Sequence, residues 1–385
     1  MKNVLNGKVV TLFFEGEVNS YTAEGVEKDV FDTLQTLSFE SIVLDFENLT
    51  YISSAGLRII LKLKQRFKEV SIINVNLDVY DVLQMTGFTS ILPVHKALNK
   101  IDITGCDIIG SGYFSKVYRI NKDTIIKVFK NENTKLEEVE RELNMAKQAF
   151  VLGIPTAISF DVVRVDNKYG VRFEMLDSIS LRDLFLKEKN SFDVLVEKYA
   201  ALLKTINTTS SDSKDLPNTK ALYEDKLAKI QPFLDEKDFS KLKGMLDAIP
   251  ERKTFVHGDC HVKNIMTQNG ELLLIDMDTL SLGHPIFELA AIYATYVAFS
   301  EDDPGNSDRF LGISDEMAHN IFFKTVARYM NSDNKEITDK IALVSYLHML
   351  WWNKVNEPEN TKRFEGCKGR LLKLLAQYDN LDIGI

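Results

Sequence analysis

The stretch Phe255–Asn264 reads FVHGDCHVKN. An apolar lead-in, Phe255 and Val256, is followed at once by His257, Gly258 and Asp259, and then by Asn264, five residues past the aspartate. Burial explains most of a globular chain, but these polar residues follow a strand-like run and fall where a loop belongs. The spacing places the Asp259 carboxylate at the head of a cleft, where it accepts a proton from an attacking hydroxyl or orients it. His257 reads as a residue that holds the loop.

Downstream lies NGELLLIDMD, residues 269–278. Asn269-Gly270 is a strong two-residue hairpin signal, and the returning strand brings Asp276 close to Asn264. A carboxylate and a carboxamide meeting in this way make an oxygen-rich Mg2+ site with room for phosphate oxygens. Asp278 lies on the same face as Asp276 if the strand continues. Two exposed aspartates at a strand end are the plain alternative.

Upstream, GSGYFSKVY sets Gly110, Ser111, Gly112 and Ser115 between two strands. Small residues there let backbone N–H groups approach phosphate oxygens, although an unliganded glycine hairpin accounts for this segment taken alone. Lys127, in TIIKVFK, sits in an apolar strand where a charge is costly unless paired, and Glu142 in the next helix is the expected partner. An edge-strand lysine facing solvent is the other reading. The order of all these motifs along one chain favours nucleotide phosphate handling over the separate explanations.

The rest of the chain sets the frame. It has 385 residues, 45% hydrophobic and 27% charged, an ordinary composition for two or three domains. No apolar run is long enough to cross a bilayer, and the first residues lack a signal-peptide pattern. Three scattered cysteines form neither a disulfide framework nor a ligand cluster; a cytoplasmic setting is expected. The net charge of −9 argues against a nucleic-acid partner and suits a cationic one weakly.

Residues 1–98 alternate strands and helices: KVVTLFFEG, YTAEGVEKDVFDTLQTL, SIVLDF, SAGLRIILKLKQRF (Leu57, Ile60, Leu61 and Leu63 toward the core), VSIINV and DVYDVLQMTGF. They predict an α/β unit with a helix-covered sheet. The pattern resets near Asn99, and residues 99–385 form the second domain, strand-rich to about 177 and mainly helical from 178.

HGDCHVKN resembles the H-G-D-x-x-x-x-N catalytic loop of the aminoglycoside phosphotransferase and choline kinase group, relatives of the protein kinases. LLLIDMDTLSLGHPIFELA is similar to that group's second signature, with Glu288 where the group usually has Asp. The resemblance spans about Ile101 to the C-terminus. It implies an α+β, two-lobed kinase-like fold with ATP in the cleft. It also implies Asp259 as catalytic base, Asn264 and Asp276 as metal ligands, a Lys127–Glu142 ion pair, and a hinge at 173–176 in which Glu174 and Leu176 meet adenine through the backbone.

In the first domain Ser53 and Ser54 stand at a helix start, where serine is a favoured cap and where an added phosphate is electrostatically welcome. The strand, the SSAGL turn and the helix resemble the STAS domain of bacterial anti-sigma factor antagonists over residues 5–95. Ser54 aligns with the serine that a partner kinase phosphorylates in that family, with Ser53 in place of the usual Asp.

Two functions follow from these resemblances. One is an ATP- and Mg2+-dependent phosphotransferase acting on a hydroxyl of a small molecule, with the STAS domain for regulation or partner binding. The other is a signalling protein whose kinase-like half senses nucleotide or phosphorylates a protein serine, with an anti-sigma-like partner and Ser54 as phosphoacceptor. A third reading makes the first domain a docking or dimerisation platform. The acceptor pocket is expected among the C-terminal helices, where Trp351, Trp352, Glu357 and Glu359 would suit a cation or, for the tryptophans, pack in the core.

Overall fold

The computed structural model describes residues 1–112, 114–187 and 191–385. The chain forms two compact units, Met1–Asp102 with Val163–Asp166, and Ile103–Val162 with Asn167–Ile385.

In the first unit the elements run β1 (Asn3–Asn6), β2 (Val9–Val18), α1 (Ala23–Gln35), β3 (Ser41–Ile52), α2 (Ser54–Arg66), β4 (Glu69–Val75), α3 (Leu77–Met85) and β5 (Val94–Lys96). The strands line up in the order β1-β2-β3-β4-β5. β1 runs antiparallel to β2 and the remaining pairs are parallel, so the sheet is mixed, as the alternating pattern predicts. Ile42, Leu44 and Phe46 of β3 are buried at its centre. The buried stripe of α2 comprises Gly56, Leu57, Ile59, Ile60 and Leu63. Leu61 is exposed instead, a correction to the expected set: the stripe centres on Gly56, Ile60 and Leu63, and Leu61 falls past its edge. Gly56 has a packing reason. A Cβ there would lie 2.7 Å from Ile52 Cγ1 and 2.8 Å from Val18 Cγ1, so only glycine lets α2 lie against the ends of β2 and β3.

A short strand, β6 (Asn99–Lys100), pairs in parallel with Val163 and Arg164. The chain then runs through β7 (Asp107–Ser111), β8 (Ser115–Arg119), β9 (Thr124–Phe129), α4 (Leu136–Val151), β10 (Ser159–Val165), of which Ser159–Val162 belong to the second unit, and β11 (Lys168–Glu174). These strands line up in the order β10-β11-β9-β8-β7. α4 buries Val139, Leu143, Met145, Ala146 and Ala149, and among these apolar residues Glu142 is buried too.

The remainder is the helical lobe: β12 (Ile179–Ser180), α5 (Leu181–Lys187), α6 (Phe192–Thr208), α7 (Thr219–Ile230), α8 (Glu236–Asp247), β13 (Phe255–Val256), β14 (Ile265–Gln268), β15 (Glu271–Leu274), β16 (Ser281–Leu282) and α9 (Pro285–Tyr293). A π-helical turn at Ala294–Ala298 leads into α10 (Phe299–Asp302), α11 (Asn306–Leu311), α12 (Asp315–Met330), α13 (Lys335–Asn356) and α14 (Thr361–Leu375). Tyr199, Phe255, Phe287, Tyr296 and Phe322 fill its core. A strand-rich lobe followed by a helical lobe is the two-lobed, kinase-like architecture expected.

Candidate functional site

Asn269 and Gly270 both have positive φ, +53° and +85°, the backbone a type I′ hairpin needs. They join β14 to β15, whose pairing sets Ile265 opposite Leu274. One step further, Ile275 N–H donates to the Asn264 carbonyl at 2.9 Å. The hairpin therefore carries Asp276 back beside Asn264. β15 ends at Leu274, and Asp276 takes φ +66°, a left-handed backbone uncommon outside glycine. The strand does not continue to Asp278, so strand alternation is not what relates the two aspartates, contrary to the expectation.

Lys127 Nζ lies 2.8 Å from Glu142 Oε1 and 2.6 Å from Asp276 Oδ1. The first contact joins β9 to α4, and the second joins the strand-rich lobe to the helical lobe. Burial alone would lower the Lys127 pKa, but the charges of Glu142, Asp276 and Asp278 override it and hold the ammonium above the usual lysine range. Burial raises the Glu142 carboxyl, opposed by Lys127. The ammonium stays charged because carboxylates surround it. Val117 of β8 faces Gly110 on one side and Lys127 on the other. Directly opposed residues share a sheet face, so the glycine turn and Lys127 are on one surface. Gly110 and Ser111 end β7, Gly112 follows in the turn, and Ser115 is the buried first residue of β8. Tyr113, within the same stretch, lies outside the described residues.

The loop after β13 is pinned from several sides. Glu288, fully buried near the start of α9, accepts from the His257 and Gly258 N–H groups. Gly258 has φ +82°, and a Cβ there would lie 3.3 Å from the Thr279 carbonyl, which accounts for the glycine. Thr279 Oγ1 donates to the His257 carbonyl at 2.6 Å, and Tyr296 Oη accepts from Val262 N–H at 2.8 Å. Tyr199 donates to the Cys260 carbonyl. His257 is fully buried, and its Nδ1 accepts from Asp259 N–H at 3.2 Å, which fits a loop-holding residue. Burial lowers its pKa to about 4.

Asp259 itself is only half-buried, with its side chain 40% exposed. Its Oδ2 accepts from Asn264 Nδ2 at 3.0 Å. Desolvation first, then the charges of Asp276 and Asp278, push its carboxyl up to about 7, where a general base is most effective near neutral pH. Burial first, then the charge of Asp276, raises Asp278 to about 6 against the opposing pull of Lys127.

The pair expected to hold Mg2+ suits that ion. Asn264 donates through Nδ2, which leaves its carbonyl oxygen for a cation, and the Asp276 side chain is 38% exposed. Among the described residues no three His, Cys, Asp or Glu side chains converge as a self-contained metal cage. One carboxylate and one amide oxygen match a cation that draws its other ligands from phosphate and water. In the segment expected to form the hinge, Glu174 N–H donates to the Ile158 carbonyl and Met175 N–H to the Asp123 carbonyl, both at 2.9 Å. Leu176, at the end of this stretch, is buried.

Among the positions sequence reasoning left out of the site are Glu288, Thr279, Tyr199 and Tyr296, which hold the loop backbone. The GHPIFE spacing signals Glu288, but nothing local signals Tyr296, whose hydroxyl reaches Val262 from the π-helical turn. Of the aromatic and acidic lining expected at 351–359, Trp351, Trp352 and Glu357 are engaged within the protein, whereas Glu359 is exposed. Trp352 stacks edge-on against Phe299 at 4.8 Å, Lys226 lies over Trp351 at 5.0 Å, and Glu357 pairs with Arg363. Ser53 occupies the cap position of α2 without a side-chain capping bond, and Ser54, the first residue of the helix, is exposed. The expected serine cap is not made.

Comparison with known proteins agrees with this division of the chain. Residues 2–101 match the STAS domain model and residues 106–313 match the model of the phosphotransferase enzyme family. The first unit is 28% identical over 103 residues to an anti-sigma F factor antagonist of Paenibacillus polymyxa, covering 25% of this chain and 88% of that protein. A Bordetella bronchiseptica protein bearing an anti-sigma factor antagonist designation is 34% identical over 84 residues, 21% of this chain and 72% of its own length. The crystal structure of a thermostable mutant of aminoglycoside phosphotransferase APH(4)-Ia overlaps 71% of this chain and 94% of its own, with a TM-score of 0.48 and 13% identity. The chain belongs to the phosphotransferase enzyme family and carries a STAS domain ahead of its kinase-like lobes.

Proposed function

We propose that the second unit is an ATP- and Mg2+-dependent phosphotransferase that moves the γ-phosphoryl group to a hydroxyl of a small-molecule acceptor. The observation that carries this reading is one unbroken line of contacts. It runs from Glu142 through Lys127 to Asp276, through the Ile275–Asn264 hydrogen bond, and from Asn264 to Asp259. In this reading Asp259 orients the acceptor hydroxyl and takes its proton, and Lys127, positioned by Glu142, grips the α- and β-phosphates. Gly110, Ser111, Gly112 and Ser115 let the β7–β8 turn cover the phosphates, and Glu174 and Leu176 meet adenine through the backbone. Asn264 and Asp276 would hold Mg2+, which supplies charge neutralisation on the phosphates. Purified protein with MgATP should turn over an acceptor from a panel of amino sugars and amino alcohols, and Asp259→Asn should lower that turnover by about 10²–10⁴. Full activity in that variant refutes the assignment.

A second reading has its own support in the exposed Ser54 and in the anti-sigma factor antagonists that the first unit resembles. Here the STAS domain binds an anti-sigma-like protein, and Ser54 or a partner serine receives the phosphoryl group. Phosphopeptide mass spectrometry after incubation with MgATP separates the two readings. A mark on Ser54 supports the second, and an unmarked Ser54 beside rapid phosphorylation of a small acceptor supports the first.

A further inference from the structure

We infer that His261 is a positioning residue for Asp259, braced by Phe310; the inference rests on the phosphotransferase reading above. His261 is the pivot of the loop: its N–H donates to the Asp259 carbonyl at 2.9 Å, and its carbonyl accepts from Asn264 N–H at 2.8 Å. Its side chain is buried, and Nε2 lies 3.6 Å from Asp259 Oδ1. Asn264 holds the other carboxylate oxygen, Oδ2, so the carboxylate is flanked on both sides. A separation of 3.6 Å exceeds that of a formed hydrogen bond, and catalytic contacts of this kind tighten once the reactants are seated.

The tautomer follows from the surroundings. Among the described residues the buried Nδ1 has no hydrogen-bond partner outside its own residue. A proton there would meet only the backbone of His261 itself and would turn the Nε2 lone pair toward a carboxylate. The proton therefore belongs on Nε2, directed at Oδ1.

Phe310 fixes the imidazole from outside. Its ring meets that of His261 edge-on, 5.3 Å between centroids at 88°, although the phenyl is itself half exposed. The backbone beneath it is tied to the same loop, since Lys263 Nζ donates to the Phe310 carbonyl at 2.8 Å. Two residues on, Gly312 at φ +71° packs directly on the Arg182 guanidinium. Arg182 N–H donates to the Val262 carbonyl at 3.0 Å. The brace and the loop are thus held by common partners.

Hydrolysis of MgATP with water as acceptor tests this without knowledge of the natural acceptor. His261→Met keeps the side-chain volume and removes the donor, whereas His261→Gln places an amide N–H near the Nε2 position. His261→Met should lower kcat about tenfold, with the KM for ATP and the Kd for MgADP unchanged, and His261→Gln should recover to within about threefold of the parent. Added to Asp259→Asn, His261→Met should cost nothing further, because it acts through Asp259. Full kcat in His261→Met, a loss confined to nucleotide affinity, no recovery in His261→Gln, or additive losses in the double variant would each overturn the inference while the parent still hydrolyses ATP. A parent chain that neither binds MgADP nor hydrolyses ATP overturns the phosphotransferase reading itself.

Discussion

The two loops that sequence reasoning singled out, the start of α2 at Ser53–Ser54 and the segment His257–Asn264, are built in opposite ways. The first has a packed floor and a bare top. Gly56 lets the helix settle against Ile52 and Val18, while Ser54 is exposed to solvent. The second is held by Glu288, Thr279, Tyr296 and Tyr199, and its one carboxyl, Asp259, is pushed toward neutrality by burial and by the charges of Asp276 and Asp278. A surface serine that only has to be reached by a partner needs exposure. A carboxylate that has to take a proton at a defined point needs a rigid, partly desolvated frame. Under the two proposed readings, the contrast is between a site that would be acted upon and a site that would act.

The largest expected effect tests the acting half. Asp259→Asn should lower kcat by about 10²–10⁴ with the fold intact by circular dichroism; a loss under threefold would leave the two loops without their functional difference. The same variant should be more thermostable than the parent at pH 8 but not at pH 4. A carboxyl whose folded value is raised from 3.8 to about 7 contributes stability that is present at low pH and lost as pH rises through that window. Melting curves at the two pH values read this directly.

Next comes Lys127→Met, which strands Glu142 in a buried position. Removing one partner of a buried ion pair costs about 3–5 kcal/mol, so urea unfolding should show the second unit destabilised by that order. The double variant Lys127→Met/Glu142→Leu should recover most of it. In the first unit, Gly56→Val should destabilise by about 1–3 kcal/mol through overpacking, without changing ATP hydrolysis by the second unit. A smaller and graded effect is the pH profile: kcat/KM should rise about tenfold per pH unit below about 7 and level off above it, as Asp259 loses its proton. The smallest is Ser54→Ala, which should move stability by less than about 0.5 kcal/mol and leave ATP hydrolysis unchanged. A large stability loss would show that this surface is not bare.

Much of this was legible along the chain because it depends on local chemistry. Asn269-Gly270 specifies its turn by the backbone freedom of those two residues, strand and helix periods mark the elements, and the lone charge in TIIKVFK demands a partner. Distances through space are not written locally. That Lys127 reaches Asp276 as well as Glu142 depends on how the two lobes of the second unit meet. That Tyr296 reaches Val262 depends on a π-helical turn that shifts the helix register. That Leu61 faces solvent while Ile59 is buried depends on where the sheet lies beneath α2. The tryptophans at 351 and 352 needed the tertiary structure for the same reason, since an aromatic pair reads alike whether it lines a pocket or packs against Phe299 and Lys226.

By itself, then, the amino-acid sequence determined the kinds of groups present, their order and the turns that return them, because those follow from side-chain chemistry and short-range sterics. The tertiary structure decided which groups meet, how deeply each is buried and hence how far each carboxyl is shifted. Desolvation and Coulomb interactions depend on what surrounds a group in space, and that is set only when distant segments pack.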